Sequence, residues 1–101
     1  MFFQNDGANL KVKLGADVVL LDNDSHSLDY MKRRNPKTDK VASAPIEIED
    51  DVLIGARTVV LKGVKIGART IIGAGSVVTK DIPEDCIAAG NPCRVIKKVN
   101  K

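Results

Sequence analysis

The single histidine of this chain stands in a polar stretch that is rich in groups able to carry protons. His26 is the one histidine among 101 residues, and it follows Asp22 and Asp24 in the run LDNDSHS. Imidazole accepts a proton near neutral pH, so a histidine can act as a general base. A lone histidine is more often incidental, but the neighbouring carboxylates make this one a candidate base, with Asp22 or Asp24 orienting the ring.

Basic residues gather in two clusters, one in the middle of the chain and one at its C-terminal end. The formal net charge is only +3, which is too small to predict a nucleic-acid partner. Each cluster is either a solvated surface or a binding site for a polyanionic ligand. The clusters are Lys32, Arg33, Arg34 and Lys37, and Arg94, Lys97, Lys98 and Lys101.

The remaining candidates for chemistry are two cysteines, Cys86 and Cys93. Their spacing resembles no zinc site, and one histidine is too few for a histidine-ligated metal, so we expect free thiols and no metal. Residues 1–10 lack the apolar run of a secretion signal, and no run approaches membrane-spanning length. We therefore expect a cytoplasmic protein without a membrane span.

A period of six residues organises the chain. Counted from Ile48, every sixth residue is a β-branched aliphatic residue, and the residues four positions further on are small or β-branched. This period fits neither an amphipathic helix nor a plain alternating strand. The two series are Ile48, Ile54, Val60, Ile66, Ile72 and Val78, and Val52, Thr58, Val64, Thr70, Ser76 and Ile82.

Period six fits a very short strand followed by a tight corner. In a strand such as residues 52–54, the outer two side chains point inward and the middle one points outward. Glycine at the corners permits close approaches that a Cβ would obstruct. Stacked turns of this kind build a narrow aliphatic core with little room for rings, which agrees with an aromatic content of 3%.

The same pattern sets the expected boundaries within one domain, residues 1–101. Hexads are predicted over residues 2–21 and 46–83, and a loop over residues 22–45 interrupts them. After Val78 the phase holds to Ile82 and slips by three residues at 84–86, before a C-terminal segment, residues 84–101. Long loops of this kind are often functional.

Two runs of the sequence carry a family resemblance: GAGSVVTKDIP at residues 73–83 and AGNPCRVIK at residues 89–97. With the hexads, they resemble the hexapeptide-repeat acyltransferases, in the branch of the galactoside, maltose and O-antigen or capsule O-acetyltransferases. The resemblance implies an all-β fold, a single-stranded left-handed parallel β-helix with three hexads per coil. It also implies a homotrimer that binds acetyl-CoA between subunits.

The outward side chains support such an assembly independently. Stacking every third hexad puts Leu53 with Ile71 on one face and Val59 with Val77 on the next, while Lys65 marks the third. A cyclic assembly needs two different complementary patches on each subunit, and two adjacent apolar faces supply them. The alternative is that the chain's own loop or tail covers these faces.

The resemblance also implies roles for individual residues. His26 would take the proton from a sugar-type hydroxyl that attacks the thioester, and the backbone N–H of Ala56 would face the developing oxyanion. Ala74 would let the pantetheine arm of acetyl-CoA run close to the coil. Thr79 and Lys80 would contact the cofactor near its adenine and phosphates, and Arg94 would bind phosphate.

Several alternatives to this function remain open. A β-helical carbonic anhydrase would need three histidine ligands, and the chain has one histidine. The β-helical part of a sugar nucleotidyltransferase would lack its nucleotide-binding half here. Members of the acyltransferase family are usually longer, so a non-catalytic trimerisation module or a truncated acyltransferase is the main alternative.

Overall fold

The fold is seen in a computed structural model, which describes residues 12–23, 25–26, 28–40 and 43–99. This part of the chain forms ten short strands and one helical turn. The predicted hexads over residues 2–11 lie outside the described residues. The elements are β1 (Lys13–Leu14), β2 (Val19–Leu20), α1 (Tyr30–Arg33), β3 (Glu47–Ile48), β4 (Leu53–Ile54), β5 (Val59–Val60), β6 (Lys65–Ile66), β7 (Ile71–Ile72), β8 (Val77–Val78), β9 (Cys86–Gly90) and β10 (Cys93–Lys98).

The two-residue strands stack in parallel on three faces of a coil. Face one has the order β1-β4-β7-β9-β10, face two β2-β5-β8 and face three β3-β6. Leu53 pairs with Ile71 and Val59 with Val77, which confirms that residues three hexads apart lie over one another. We number the corners by the face that they follow: corner one contains residues 55–57 and 73–75, corner two 61–63 and 79–81, and corner three 67–69.

The predicted inward and outward positions are confirmed. Val52 is 1% exposed, Leu53 44% and Ile54 0%, so neighbouring side chains alternate between core and surface. The buried hydroxyls in the core also have acceptors: Thr58 donates to the Gly73 carbonyl, and Thr70 to the Pro83 carbonyl. Small hydroxyl side chains therefore fit this narrow interior without leaving a buried polar group unpaired.

The corners that begin with glycine, such as those at Gly55 and Gly67, make two separate demands on their residues. The first position must lack a side chain, because a Cβ on Gly55 would lie 2.5 Å from the Ala74 nitrogen in the next coil. The third position has a left-handed backbone, with φ of 61° at Arg57 and 72° at Gly75. The corner glycines therefore serve close stacking at the first position, while the left-handed position accepts other residues.

Side chains at one of these left-handed positions pair along the stack. The Nε and Nη2 atoms of Arg69 donate to the two carboxylate oxygens of Asp85, at 2.7 and 2.9 Å. The hydrogen bonds to Asp85, followed by the charges of Asp85, Glu84 and Asp51, raise the pKa of Arg69 above its ordinary value. The guanidinium thus stays charged and joins successive coils at corner three.

The expected phase slip lies elsewhere than the sequence pattern indicated. Ile82 pairs with Ile66. Ile82 therefore takes the strand position, in the series of Ile48 and Ile54, and not the companion position, in the series of Val52 and Thr58. The coil has thus already shortened by two residues after Val78. At this place the Asp81 carboxylate accepts the Lys65 amide, at 2.8 Å. A side-chain oxygen therefore replaces the main-chain carbonyl that accepts the equivalent amides of Leu53 and Val59 in other coils.

The C-terminal segment forms two strands, β9 and β10. Its first strand, β9, continues face one, since Ile71 pairs with Ile87 and Ile72 with Ala88. The chain then turns at residues 91–92, and β10 returns antiparallel beside β9. The coil therefore extends beyond the predicted limit at residue 83, and a hairpin strand covers the end of face one.

The predicted loop departs from corner two and returns to it. Asn23 and Ser43 form an antiparallel bridge, and the Ala44 amide donates to the Asp22 carbonyl at 2.9 Å. Within the loop, α1 is capped by the Asp29 carboxylate, which accepts the Met31 amide. The loop is thus closed at its base and partly ordered by local hydrogen bonds.

Candidate functional site

His26 projects from the loop into solvent with a carboxylate on one of its ring nitrogens. The Nδ1 atom of His26 lies 2.7 Å from Oδ2 of Asp39. The His26 side chain is 69% exposed and that of Asp39 only 14%. The contact leaves one edge of the ring open to a ligand. The sequence suggested Asp22 or Asp24 as the orienting residue, and the structure instead places Asp39 there; Asp24 lies outside the described residues.

Local backbone geometry places His26 at the start of the loop. Ser25 has a left-handed backbone, with φ of 67°, and its amide donates to the Asn23 side chain at 2.8 Å. Short polar side chains such as Asn stabilise turns in this way. The chain therefore turns sharply after the Asn23 bridge and presents His26 beside corner two.

A groove of about 300 Å³ lies at this base, between the loop and corner two. Its lining combines apolar and polar groups, which suits an organic ligand with hydroxyl or amide groups. Leu28, which is 76% exposed, forms the loop side of this groove. The lining residues are Leu21, Asn23, Ser25, Leu28, Leu61, Lys62 and Thr79.

Two of the predicted cofactor contacts lie at corner two. Thr79 is exposed and lines the groove, and Lys80 follows it on the surface. The structure thus brings Thr79 to the loop that carries His26. It also explains the exposure of both residues, since they form the corner at which the coil shortens before Ile82.

The other predicted cofactor contacts lie at corner one. Ala56 and Ala74 stack one above the other, and the Gly75 amide donates to the Ala56 carbonyl at 2.8 Å. Arg94 pairs with Ala89 in the hairpin, and Ala89 lies over Gly73. Arg94 in β10 therefore lies two strand spacings, about 10 Å, from β7, the strand that leads to Ala74.

The backbone N–H proposed for the oxyanion is unpaired in the described part of the chain. Neither the Ala56 nor the Ala74 amide donates to an acceptor there. The Ala68 amide at corner three is also unpaired among these residues. An open amide is therefore a property of the repeated corner, and it does not by itself single out Ala56.

The predicted residues consequently form two groups on one chain. Ala56, Ala74 and Arg94 belong to corner one, whereas Thr79, Lys80 and the His26 loop belong to corner two. Ala74 and Thr79 are separated by an extended stretch of five residues, which spans at most about 18 Å. A single ligand that contacted both groups would have to lie across face two, or between two subunits that each contribute one corner.

A second hollow, of about 470 Å³, lies on face three and contains none of the predicted site residues. Its charged lining includes Glu49, Asp81 and Glu84, together with Lys65. Three carboxylates repel a polyanion. This hollow is therefore a poor place for the phosphates of a coenzyme.

The two cysteines are free and buried. Burial raises the pKa of the Cys93 thiol, and a hydrogen bond with Ser76 partly opposes that shift. A thiol held in its protonated form is a weak nucleophile. Cys93 therefore contributes packing beneath the β9–β10 hairpin rather than covalent chemistry.

Sequence reasoning missed Asp39 and the groove residues on the loop side. Asp39 lies 13 residues from His26, and no repeat or motif links the two positions. Lys62 and Leu28 belong to different segments that meet only where the loop returns to corner two.

No helix in the described residues is long and apolar enough to cross a membrane.

Comparison with known proteins adds a family profile and relatives of known activity. The profile described as "Bacterial transferase hexapeptide (six repeats)" matches residues 45–80. The galactoside O-acetyltransferase of Escherichia coli (strain K12) is 42% identical over 94 residues, covering 88% of this chain and 45% of that protein.

Solved structures of acetyltransferases also resemble this chain. The maltose O-acetyltransferase from Clostridium difficile 630 superposes with a TM-score of 0.80 at 41% identity, covering 89% of this chain and 46% of that one. A hexapeptide-repeat acetyltransferase from Vibrio cholerae O1 biovar eltor, complexed with acetyl coenzyme A, gives a TM-score of 0.77 at 38% identity, covering 89% and 48%. The chain spans less than half the length of each of these three relatives.

Proposed function

Because this chain belongs to the hexapeptide-repeat family of bacterial transferases, we propose that it transfers an acetyl group from acetyl-CoA to a sugar-type hydroxyl. One observation carries the proposal. The single histidine is exposed on a loop whose residues Ser25 and Leu28 line a groove at corner two together with Thr79. The loop that carries the proposed proton acceptor thus borders the same groove as Thr79, which supports the proposal.

In the proposed reaction His26 acts as the general base. It takes the proton of the acceptor hydroxyl while the hydroxyl oxygen attacks the thioester carbonyl. The acetyl group leaves sulfur for oxygen, and the proton passes from His26 to the departing sulfur, so that CoA leaves as the thiol. The unpaired Ala56 amide would donate to the carbonyl oxygen as negative charge develops there.

The donor would be held by contacts at both corners. Ala74 is exposed and carries only a methyl group, so a slender pantetheine chain can pass close to the backbone. Lys80 and Arg94 are exposed cations, and they would bind phosphate by charge-assisted hydrogen bonds. The carboxylates of face three offer no comparable site, which directs the donor to faces one and two.

We infer that the working unit is a homotrimer in which this chain acts as one domain and the coil is left-handed. The partition of site residues between corners one and two supports the trimer, because adjacent subunits could complete one site from both corners. The outward residues Leu53, Ile71, Val59 and Val77 give two adjacent apolar faces, whereas Glu47 and Lys65 mark a charged third face. The left hand is supported by the likeness to hexapeptide-repeat acetyltransferases.

Three measurements test the function in order. Calorimetry with acetyl-CoA should show binding, and sedimentation should show a trimer at micromolar concentration. A screen of sugar acceptors then allows His26→Ala to be assayed, and kcat should fall by about 10²- to 10⁴-fold. Acetyl-CoA affinity should stay nearly unchanged in this variant, because the imidazole faces the acceptor.

The possible failures are distinct. A chain that forms trimers without binding acetyl-CoA would be a non-catalytic trimerisation module. A chain that binds acetyl-CoA while His26→Ala keeps full activity would use another base. A monomeric protein would exclude a site shared between adjacent subunits.

A further inference from the structure

The His26–Asp39 contact is a side-chain bond across the two arms of the loop. The bond joins Nδ1 of His26 to Oδ2 of Asp39 at 2.7 Å, and the two residues are 13 positions apart. The carboxylate is mostly covered while the ring is mostly exposed. Asp39 therefore approaches the ring from the loop side and leaves the opposite ring nitrogen to solvent.

This geometry determines which ring nitrogen is basic. An ionised carboxylate only accepts hydrogen bonds, so the Nδ1 atom facing it must carry the proton. A neutral imidazole has a single N–H, and its other nitrogen then has the free lone pair. The lone pair of His26 is accordingly on Nε2, at the exposed edge of the ring.

We propose that Asp39 is the positioning residue for His26: it fixes the tautomer that makes Nε2 the proton acceptor, and it holds the ring in place next to Ser25, which lines the groove. This inference rests on the proposed role of His26 as general base. When Nε2 accepts the hydroxyl proton the ring becomes positively charged, and the Asp39 carboxylate lies beside that charge. Asp39 does not itself take the proton.

The loop holds Asp39 by its own hydrogen bonds. The Asp39 amide donates to the Asn35 carbonyl at 2.9 Å. The neighbouring Thr38 hydroxyl donates to the Lys32 carbonyl at 2.9 Å, and the Lys37 amide donates to the Asn35 side chain at 3.0 Å. A turn built on these bonds follows α1 and presents the carboxylate to the ring.

A purely structural role would predict the same contact, so the test must read the ring itself. Because His26 is the only histidine, the imidazole nitrogen signals of the whole protein labelled with 15N-histidine come from this residue alone. Long-range 1H–15N correlation spectra, recorded at a pH where the ring is neutral, distinguish the two tautomers. Wild-type protein should show the proton on Nδ1.

The variants separate Asp39 from general effects on the loop. Asp39→Ala should lose the dominance of the Nδ1–H tautomer, while Asp29→Ala should keep it, because Asp29 caps α1 at the Met31 amide. A wild-type ring protonated mainly on Nε2 would overturn the proposal. So would an Asp39→Ala spectrum with the wild-type tautomer.

Kinetics then connect the tautomer to the reaction. Asp39→Asn should lower kcat by roughly tenfold or more, as expected for a misplaced base, with KM for acetyl-CoA unchanged. In a His26→Ala background, the same Asp39 change should have no further effect on kcat, because residues acting as a unit are not additive. An equal loss in both backgrounds would show that Asp39 acts on the fold and would overturn its positioning role.

The proposed general-base function and the positioning inference can fail separately. If His26→Ala is fully active, the general-base function fails whatever the spectra show. If His26→Ala is inactive but the tautomer does not depend on Asp39, only the positioning inference fails.

Discussion

The corner at Gly67 has no room for a side chain, and replacing this glycine tests the stacking of the coil. An ideal Cβ on Gly67 would lie 2.4 Å from the Glu84 nitrogen and 2.8 Å from its Cα. An ordinary van der Waals contact needs about 3.5 Å, so the two coils must separate locally by about 1 Å. Both clashing groups are backbone, and no side-chain rotation can relieve the overlap.

The expected cost follows from what holds the coils together there. The Gly67 amide donates to the Ile82 carbonyl at 2.8 Å, and the Asp85 amide to the Ala68 carbonyl at 2.9 Å. Overpacking costs about 1–3 kcal/mol, and each stretched backbone hydrogen bond about 1 kcal/mol more. Gly67→Ala should therefore lower the free energy of unfolding by about 3–5 kcal/mol, a large part of the total of about 5–15 kcal/mol.

Gly75 provides the matched control. It has a left-handed φ of 72°, but among the described residues no heavy atom beyond its own and those of its chain neighbours lies within 4 Å of its ideal Cβ. Gly75→Ala should therefore cost only the left-handed backbone penalty, about 1–2 kcal/mol. Urea denaturation followed by far-ultraviolet circular dichroism, at one fixed protein concentration, measures both variants. Equal losses would show that the coil spacing yields freely, and the argument from the clash would be wrong.

Three further predictions concern other parts of the molecule. Arg94→Ala should weaken CoA binding by roughly tenfold or more in calorimetry, and dephospho-CoA binding less if Arg94 contacts the terminal phosphate; unchanged CoA affinity would remove Arg94 from the donor site. Asp81→Ala should destabilise the protein by about 1 kcal/mol in urea, because the Lys65 amide loses its acceptor, whereas Asp81→Asn keeps a carbonyl and should cost less. Cys93 should react with iodoacetamide far more slowly at pH 8 in the folded protein than in urea, because burial raises its thiol pKa; equal rates by mass spectrometry would contradict this.

Most of the coil could be predicted because its rule is local and repeated. Each β-branched residue at the six-residue step, such as Ile54 or Val60, is buried, and each outward residue takes its expected face. The break at residues 79–81 was misplaced because Ile82 suits both the companion and the strand position. The observed register comes with the Asp81 carboxylate acting as a substitute acceptor for the Lys65 amide, and that contact has no sequence signature.

The candidate site was only partly predictable for a different physical reason. His26 was identifiable because it is unique and stands where the period breaks. Its partner Asp39 depends on how the intervening stretch of the loop folds, which involves hydrogen bonds such as that from Thr38 to the Lys32 carbonyl. The separation of Ala74 and Thr79 onto different corners follows from the period of six residues.

The closed base of the loop makes the segment after Asp22 an exchangeable unit. Lys13 pairs with Leu53 across the whole loop, whereas Leu53 pairs with Ile71 after a single coil, yet both strand pairs are parallel and in register. Since the Asn23–Ser43 bridge fixes the two ends, the entropy of closing the loop changes only slowly with its length. Replacement of this segment alone would therefore change the loop side of the groove at corner two, while the stacking of the coil is retained.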